Sequence, residues 1–111
     1  SNLKIMDYAF SGCANLKEID ILPVNVTSAQ YTFEGCTALQ TPADLSKTSN
    51  LQNISGLHNG CINLREATDI PDSVLYMSET FMECLNIKEA VALKTSQIAI
   101  KDALPCLETW K

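Results

Sequence analysis

The chain has 111 residues, 46% of them hydrophobic and 19% charged, and carries a net charge of −5. That is enough to bury one core and is ordinary for a folded single domain, not a disordered segment. An acidic chain repels a phosphate backbone and an anionic lipid surface, and no run reaches the roughly 18 apolar residues of a membrane span, so neither nucleic acid nor direct membrane insertion is expected.

Ser1-Asn2-Leu3 opens without Met, basic residues or an apolar run and reads as the start of a piece cut from a longer precursor. From Ala9 the chain says AFSGCANLKEIDILP, and from Thr32 it says TFEGCTALQTPADLS. The cysteines stand at 13, 36, 61, 84 and 106, in steps of 23, 25, 23 and 22 residues. Three places before them stand Phe10, Phe33, His58, Phe81 and Ala103; one place before, Gly12, Gly35, Gly60, Glu83 and Pro105. Three places after them come Leu16, Leu39, Leu64, Ile87 and Thr109, and nine places after come Leu22, Leu45, Ile70 and Leu93. A unit this short cannot bury an apolar face alone, so the units must stack as a solenoid.

The units are expected at about 3–25, 26–50, 51–73 and 74–96, with a degenerate cap at 97–111. Before each Cys, as in 27–35 and 73–83, the pattern predicts one or two helical turns ended by a left-handed glycine. Val26 and Val74 begin these stretches, and Ala29, Ile54 and Met77, seven places before Cys, would face inward there. After each Leu, as in LKEIDILP and LREATDIP, it predicts a short extended rung with Ile19, Pro42, Ala67 and Ala90 inward. Pro42 has no N–H for a ladder, so that rung should be irregular and strands short and few. The repeat core is then Phe10, Cys13, Leu16, Phe33, Cys36, Leu39, Cys61, Leu64, Phe81, Cys84 and Ile87. Tyr8 and Tyr31 should be half-buried, and Trp110 either folds over the open end or protrudes.

Five cysteines admit several readings: disulfides between coils, with an odd thiol over; a metal site, though there is no C-x-x-C pair and only one His; a Cys61–His58 nucleophilic pair; or buried free thiols acting as small hydrophobes. The repeat register accounts for both His58 and Cys61 without chemistry. No phosphate loop, G-x-S-x-G or H-E-x-x-H pattern occurs. No catalytic residue, metal or cofactor is therefore expected. The sequons at Asn25 and Asn53 read as accidental.

The quoted phrases resemble the BspA-like branch of the leucine-rich repeat superfamily, from about Leu3 to Leu107. Proline falls ten residues after Cys instead of nine, His58 replaces an aromatic, and the last unit keeps little beyond Cys106. The resemblance implies an α/β fold, a right-handed solenoid of four to five coils, each a short parallel strand plus a short helical turn. It also implies a bacterial extracellular or cell-surface setting and adhesion to a protein or host-surface component. The expected binding face is the outward side of the rungs: Glu18, Asp20, Thr41, Glu66, Thr68 and Glu89. The alternative is a structural spacer within a longer array, with no ligand of its own. Self-association through open solenoid ends is a further expectation.

Overall fold

The computed structural model describes residues 2–87. Glu89, Ala90, Cys106, Trp110 and the cap at 97–111 lie outside the described residues. Within them, coils 1 to 4 (3–25, 26–50, 51–73 and 74–87) stack as the period requires. The two phases of each coil are not arranged as the pattern predicts. Among the described residues there is no helix, and parallel pairing is reduced to bridges joining Ile5 to Ser28, Ser28 to Asn53 and Asn53 to Tyr76. These bridges lie before the cysteines, not after the leucines.

Backbone direction explains the change. In coil 2, the N–H groups of Ala29, Tyr31, Phe33 and Gly35 donate to the carbonyls of Asn53, Ser55, Leu57 and Asn59 of coil 3, at 2.8–3.0 Å. Coil 1 does the same through Met6, Tyr8, Phe10 and Gly12, and coil 3 through Ile54, Gly56, His58 and Gly60. Every second amide is thus committed to the next coil and is lost to any intra-helical bond. Between these amides the chain folds through successive tight turns, such as Glu34 N–H to the Tyr31 carbonyl (3.3 Å) and Cys36 N–H to the Phe33 carbonyl (3.2 Å).

Two left-handed residues per coil make this path possible. Gly12, Gly35 and Gly60 adopt φ of 79°, 69° and 78°, and Glu83 adopts 61° in the fourth coil. Four residues earlier stand Tyr8 (60°), Tyr31 (52°), Gly56 (67°) and Glu79 (60°). The glycines are left-handed as predicted, but they turn a ladder segment instead of capping a helix. Tyr8 and Tyr31 stack at 5.3 Å with their planes 9° apart, and the Tyr31 ring lies over Gly56, where an added Cβ would fall inside it. Tyr8 is exposed, not half-buried.

The core holds Phe33, Cys36, Leu39, Cys61, Leu64, Phe81, Cys84 and Ile87, together with Val26, Val74, Ala29, Ile54 and Met77. Coil 1 departs from the expected core list. Phe10 is 40% exposed, Cys13 is exposed and Leu16 is only partly buried, because coil 1 is covered on one side alone in this structure.

The segments after the leucines carry almost no ladder. Between residues 17–22, 40–45 and 65–69, the recorded inter-coil backbone bond is Arg65 N–H to the Gln40 carbonyl, 3.0 Å. Ile19 and Ala67 pack against the core as expected; in coil 2 the buried residue is Ala43 instead of Pro42, and in coil 3 Thr68, at 8% exposure, is buried beside Ala67. Proline has no N–H to offer, and the register advances by one so that Ala43 can spend its own elsewhere.

Gly56→Ala should destabilise the domain by ~2 kcal/mol through left-handed strain and collision with Tyr31. In a Tyr31→Ser background the same change should cost clearly less. Denaturant unfolding of the four variants of this cycle gives the coupling; equal costs in both backgrounds would contradict the packing described.

Candidate functional site

His58 and Cys61 are the pair with the best claim to chemistry, and their surroundings remove it. The His58 ring is fully buried between Phe33 (centroids 5.5 Å apart) and Phe81 (5.8 Å), continuing a stack begun by Phe10 and Phe33 at 5.6 Å. Its Nε2 accepts the buried N–H of Ala43 at 3.1 Å. A neutral ring then carries its proton on Nδ1, which lies 3.5 Å from Cys61 Sγ. The thiol in turn donates to the Phe33 carbonyl at 3.1 Å. Burial pushes the His58 pKa down to about 3. Burial, with the neighbouring Cys36 thiol, pushes Cys61 up to about 12. A nucleophilic pair needs thiolate and imidazolium, and both shifts oppose those forms.

The same geometry explains why cysteine recurs. Cys36 Sγ donates to the Phe10 carbonyl (3.3 Å) and Cys84 Sγ to the His58 carbonyl (3.1 Å), as Cys61 does to Phe33. Each thiol fills a small apolar corner and bonds the coil before it. Cys13, Cys36, Cys61 and Cys84 are free thiols. Thr32 and Thr80 act similarly, donating to the Met6 and Ile54 carbonyls at 3.1 Å. Among the described residues, every buried side-chain polar atom has a partner, and no group of His, Cys, Asp and Glu could hold a metal ion.

Of the expected binding face, Glu18, Asp20, Thr41 and Glu66 are exposed. Thr68 is a correction: it is buried at 8% exposure beside Ala67, which packs against the core. Glu89 lies outside the described residues. A shallow groove of about 380 Å³ runs across coils 2 and 3 on this side, lined by Thr41, Asp44, Glu66 and Asp69 among others. The Ser46 hydroxyl and N–H beside Asp44 hold its carboxyl below the usual carboxylate range. The groove is therefore strongly acidic at neutral pH.

A column of amides was missed in the sequence. Two places after the cysteines stand Asn15, Asn63 and Asn86. Asn63 Nδ2 donates to the Thr37 carbonyl (2.7 Å) and Asn86 Nδ2 to the Ile62 carbonyl (2.8 Å), each in the preceding coil. The phrase C-x-N followed by Leu or Ile, present in three units, is the signal that could have found it. With Gln40 and Arg65 these amides line a second groove of about 350 Å³.

A stack of Cys-bearing coils with an inert interior and grooved outer faces defines a repeat solenoid. The sequence profile of the BspA type leucine rich repeat region, in six copies, matches residues 1–103, and the chain belongs to that family. Membership suggests a protein-interaction module, and the family is in general non-enzymatic. A leucine-rich repeat protein from Eubacterium ventriosum, known from a crystal structure, is similar at 23% identity with a TM-score of 0.43. The match covers 80% of this chain and 30% of that one, so this chain spans less than a third of that protein's length. No curated protein matches the chain.

His58→Phe would restore the aromatic phrase yet leave the Ala43 N–H buried and unpaired, so it should destabilise the fold by ~1–3 kcal/mol. Because folding lowers the His58 pKa, the unfolded chain binds more protons below its ordinary value, and stability falls as pH drops from about 6.5 toward 3. Above that window the group contributes no slope. Urea unfolding from pH 7.5 to 5 should show a slope in wild type that His58→Phe lacks; parallel profiles would contradict this environment.

Proposed function

We propose that the chain is a non-enzymatic interaction and adhesion module of a bacterial cell-surface protein, and that it engages a protein partner through the outward acidic face of coils 1 to 3. The observation that carries the reading is the groove across Thr41, Asp44, Glu66 and Asp69, flanked by exposed Glu18 and Asp20. Asp44 and Asp69 hold the same position in coils 2 and 3, and Glu18 and Glu66 the same position in coils 1 and 3, with Thr41 between them. The groove's backbone is tied by little inter-coil bonding, so it remains open to a partner's hydrogen bonds. A basic segment of an extracellular protein fits that charge, and complementary charge gives on-rate and orientation more than raw affinity.

Family membership supports the cell-surface setting, since proteins with this repeat are typically surface-associated in bacteria. A spacer with no ligand is the competing reading, and binding separates the two. Surface plasmon resonance of the folded domain over immobilised extracellular-matrix proteins should give salt-sensitive binding. The Glu18→Lys/Glu66→Lys variant, altered only at exposed positions, should lose about tenfold or more of it. Undiminished binding by the variant would move the interface off this face, and silence across the panel would favour the spacer.

A further inference from the structure

The second groove lies on a different set of columns from the acidic face and has the opposite chemistry. Among the described residues its lining is Gln40, Asn63, Arg65 and Asn86: three carboxamides, one guanidinium and no carboxylate, in a chain whose net charge is −5. Two of the carboxamides are fixed. Asn63 and Asn86 each spend an Nδ2 proton on a backbone carbonyl of the coil before, at 2.7 and 2.8 Å. That bond decides the amide's orientation, and each amide keeps its Oδ1 acceptor and a second N–H donor for a ligand. The two Asn occupy equivalent positions in adjacent coils, so this donor–acceptor pair is presented twice in register. Arg65 is held at its backbone by the bond to the Gln40 carbonyl, and no carboxylate among the described residues is bonded to its guanidinium.

From this arrangement we infer that the Gln40–Asn63–Arg65–Asn86 groove is a binding site for a carboxylate-bearing saccharide, with the carboxylate on Arg65 and sugar hydroxyls on the carboxamides. A guanidinium takes a carboxylate through two parallel N–H bonds, and amides both donate to and accept from hydroxyls. The groove's volume of about 350 Å³ is in the range of small-ligand clefts. An acidic peptide is the less suitable occupant, because peptide recognition gains most from burying apolar and aromatic groups and, among the described residues, none lines this groove. The assignment goes beyond the protein-binding reading and does not depend on it.

The probe is a tetrasaccharide of alternating glucuronic acid and N-acetylglucosamine, with its carboxyl-reduced form as the neutral control of equal shape. Titration into the isotopically labelled chain, followed by NMR, should shift the side-chain amide signals of Asn63, Asn86 and Gln40. The reduced form and the Arg65→Gln variant should each bind about tenfold more weakly, the loss expected for one charge-assisted contact. Arg65 is exposed, so the variant's backbone spectrum should otherwise match wild type. Glu18→Lys/Glu66→Lys should bind the saccharide as wild type does, which keeps this site's fate separate from that of the acidic face. Equal affinity for the reduced form, undiminished binding by Arg65→Gln, or no shift at millimolar saccharide would overturn the assignment. So would tighter binding of a Glu/Asp-rich peptide to the same amides.

Discussion

The described fold depends on one commitment: every second amide before Cys13, Cys36 and Cys61 donates its hydrogen to the next coil. Once Ala29, Tyr31, Phe33 and Gly35 point at coil 3, no helix can form there, because a helix would need those same protons four residues back. The left-handed residues follow from the same constraint. The chain must turn without reclaiming its amides, and two positive-φ positions per coil accomplish that. The ladder also places equivalent side chains directly above one another, which is why phenylalanines, thiols and asparagines form columns.

Those columns use polar atoms sparingly and completely. A thiol is small enough for the corner and still returns one weak bond to the coil before it. Where the aromatic column is broken by His58, the break answers a local need. Pro42 has shifted the register, Ala43 has a buried N–H to place, and an imidazole nitrogen receives it without leaving the ring stack. The substitution and the proline are two halves of one solution. Among the described residues, every buried side-chain polar atom is satisfied within the fold.

The period, the inward Phe, Cys and Leu columns and the left-handed glycines were legible in the sequence, because each is a repeated residue type at a fixed distance from cysteine. The phase was not. Periodicity reports which side chains are inside, and it is silent on whether an amide bonds within its coil or to the next. Hence the predicted helical turn became the ladder, and the predicted rung became the open segment. Thr68 is buried beside Ala67, which no repeated residue type announced. The acceptor role of His58 was equally hidden, since its donor is fifteen residues away and belongs to no motif. The asparagine column is readable as C-x-N followed by Leu or Ile, with Ala38 interrupting it in coil 2.

Native-state hydrogen exchange, read residue by residue, tests the central claim most directly. The amides of Ala29, Tyr31, Phe33, Gly35, Ile54, Gly56, His58 and Gly60 should be the slowest to exchange, opening only with global unfolding. Amides of 17–22 and 40–44, apart from that of Ala43, should exchange orders of magnitude faster. The reverse pattern, with protection after the leucines and exposure before the cysteines, would contradict the ladder and restore the strand to the rung where periodicity alone had put it.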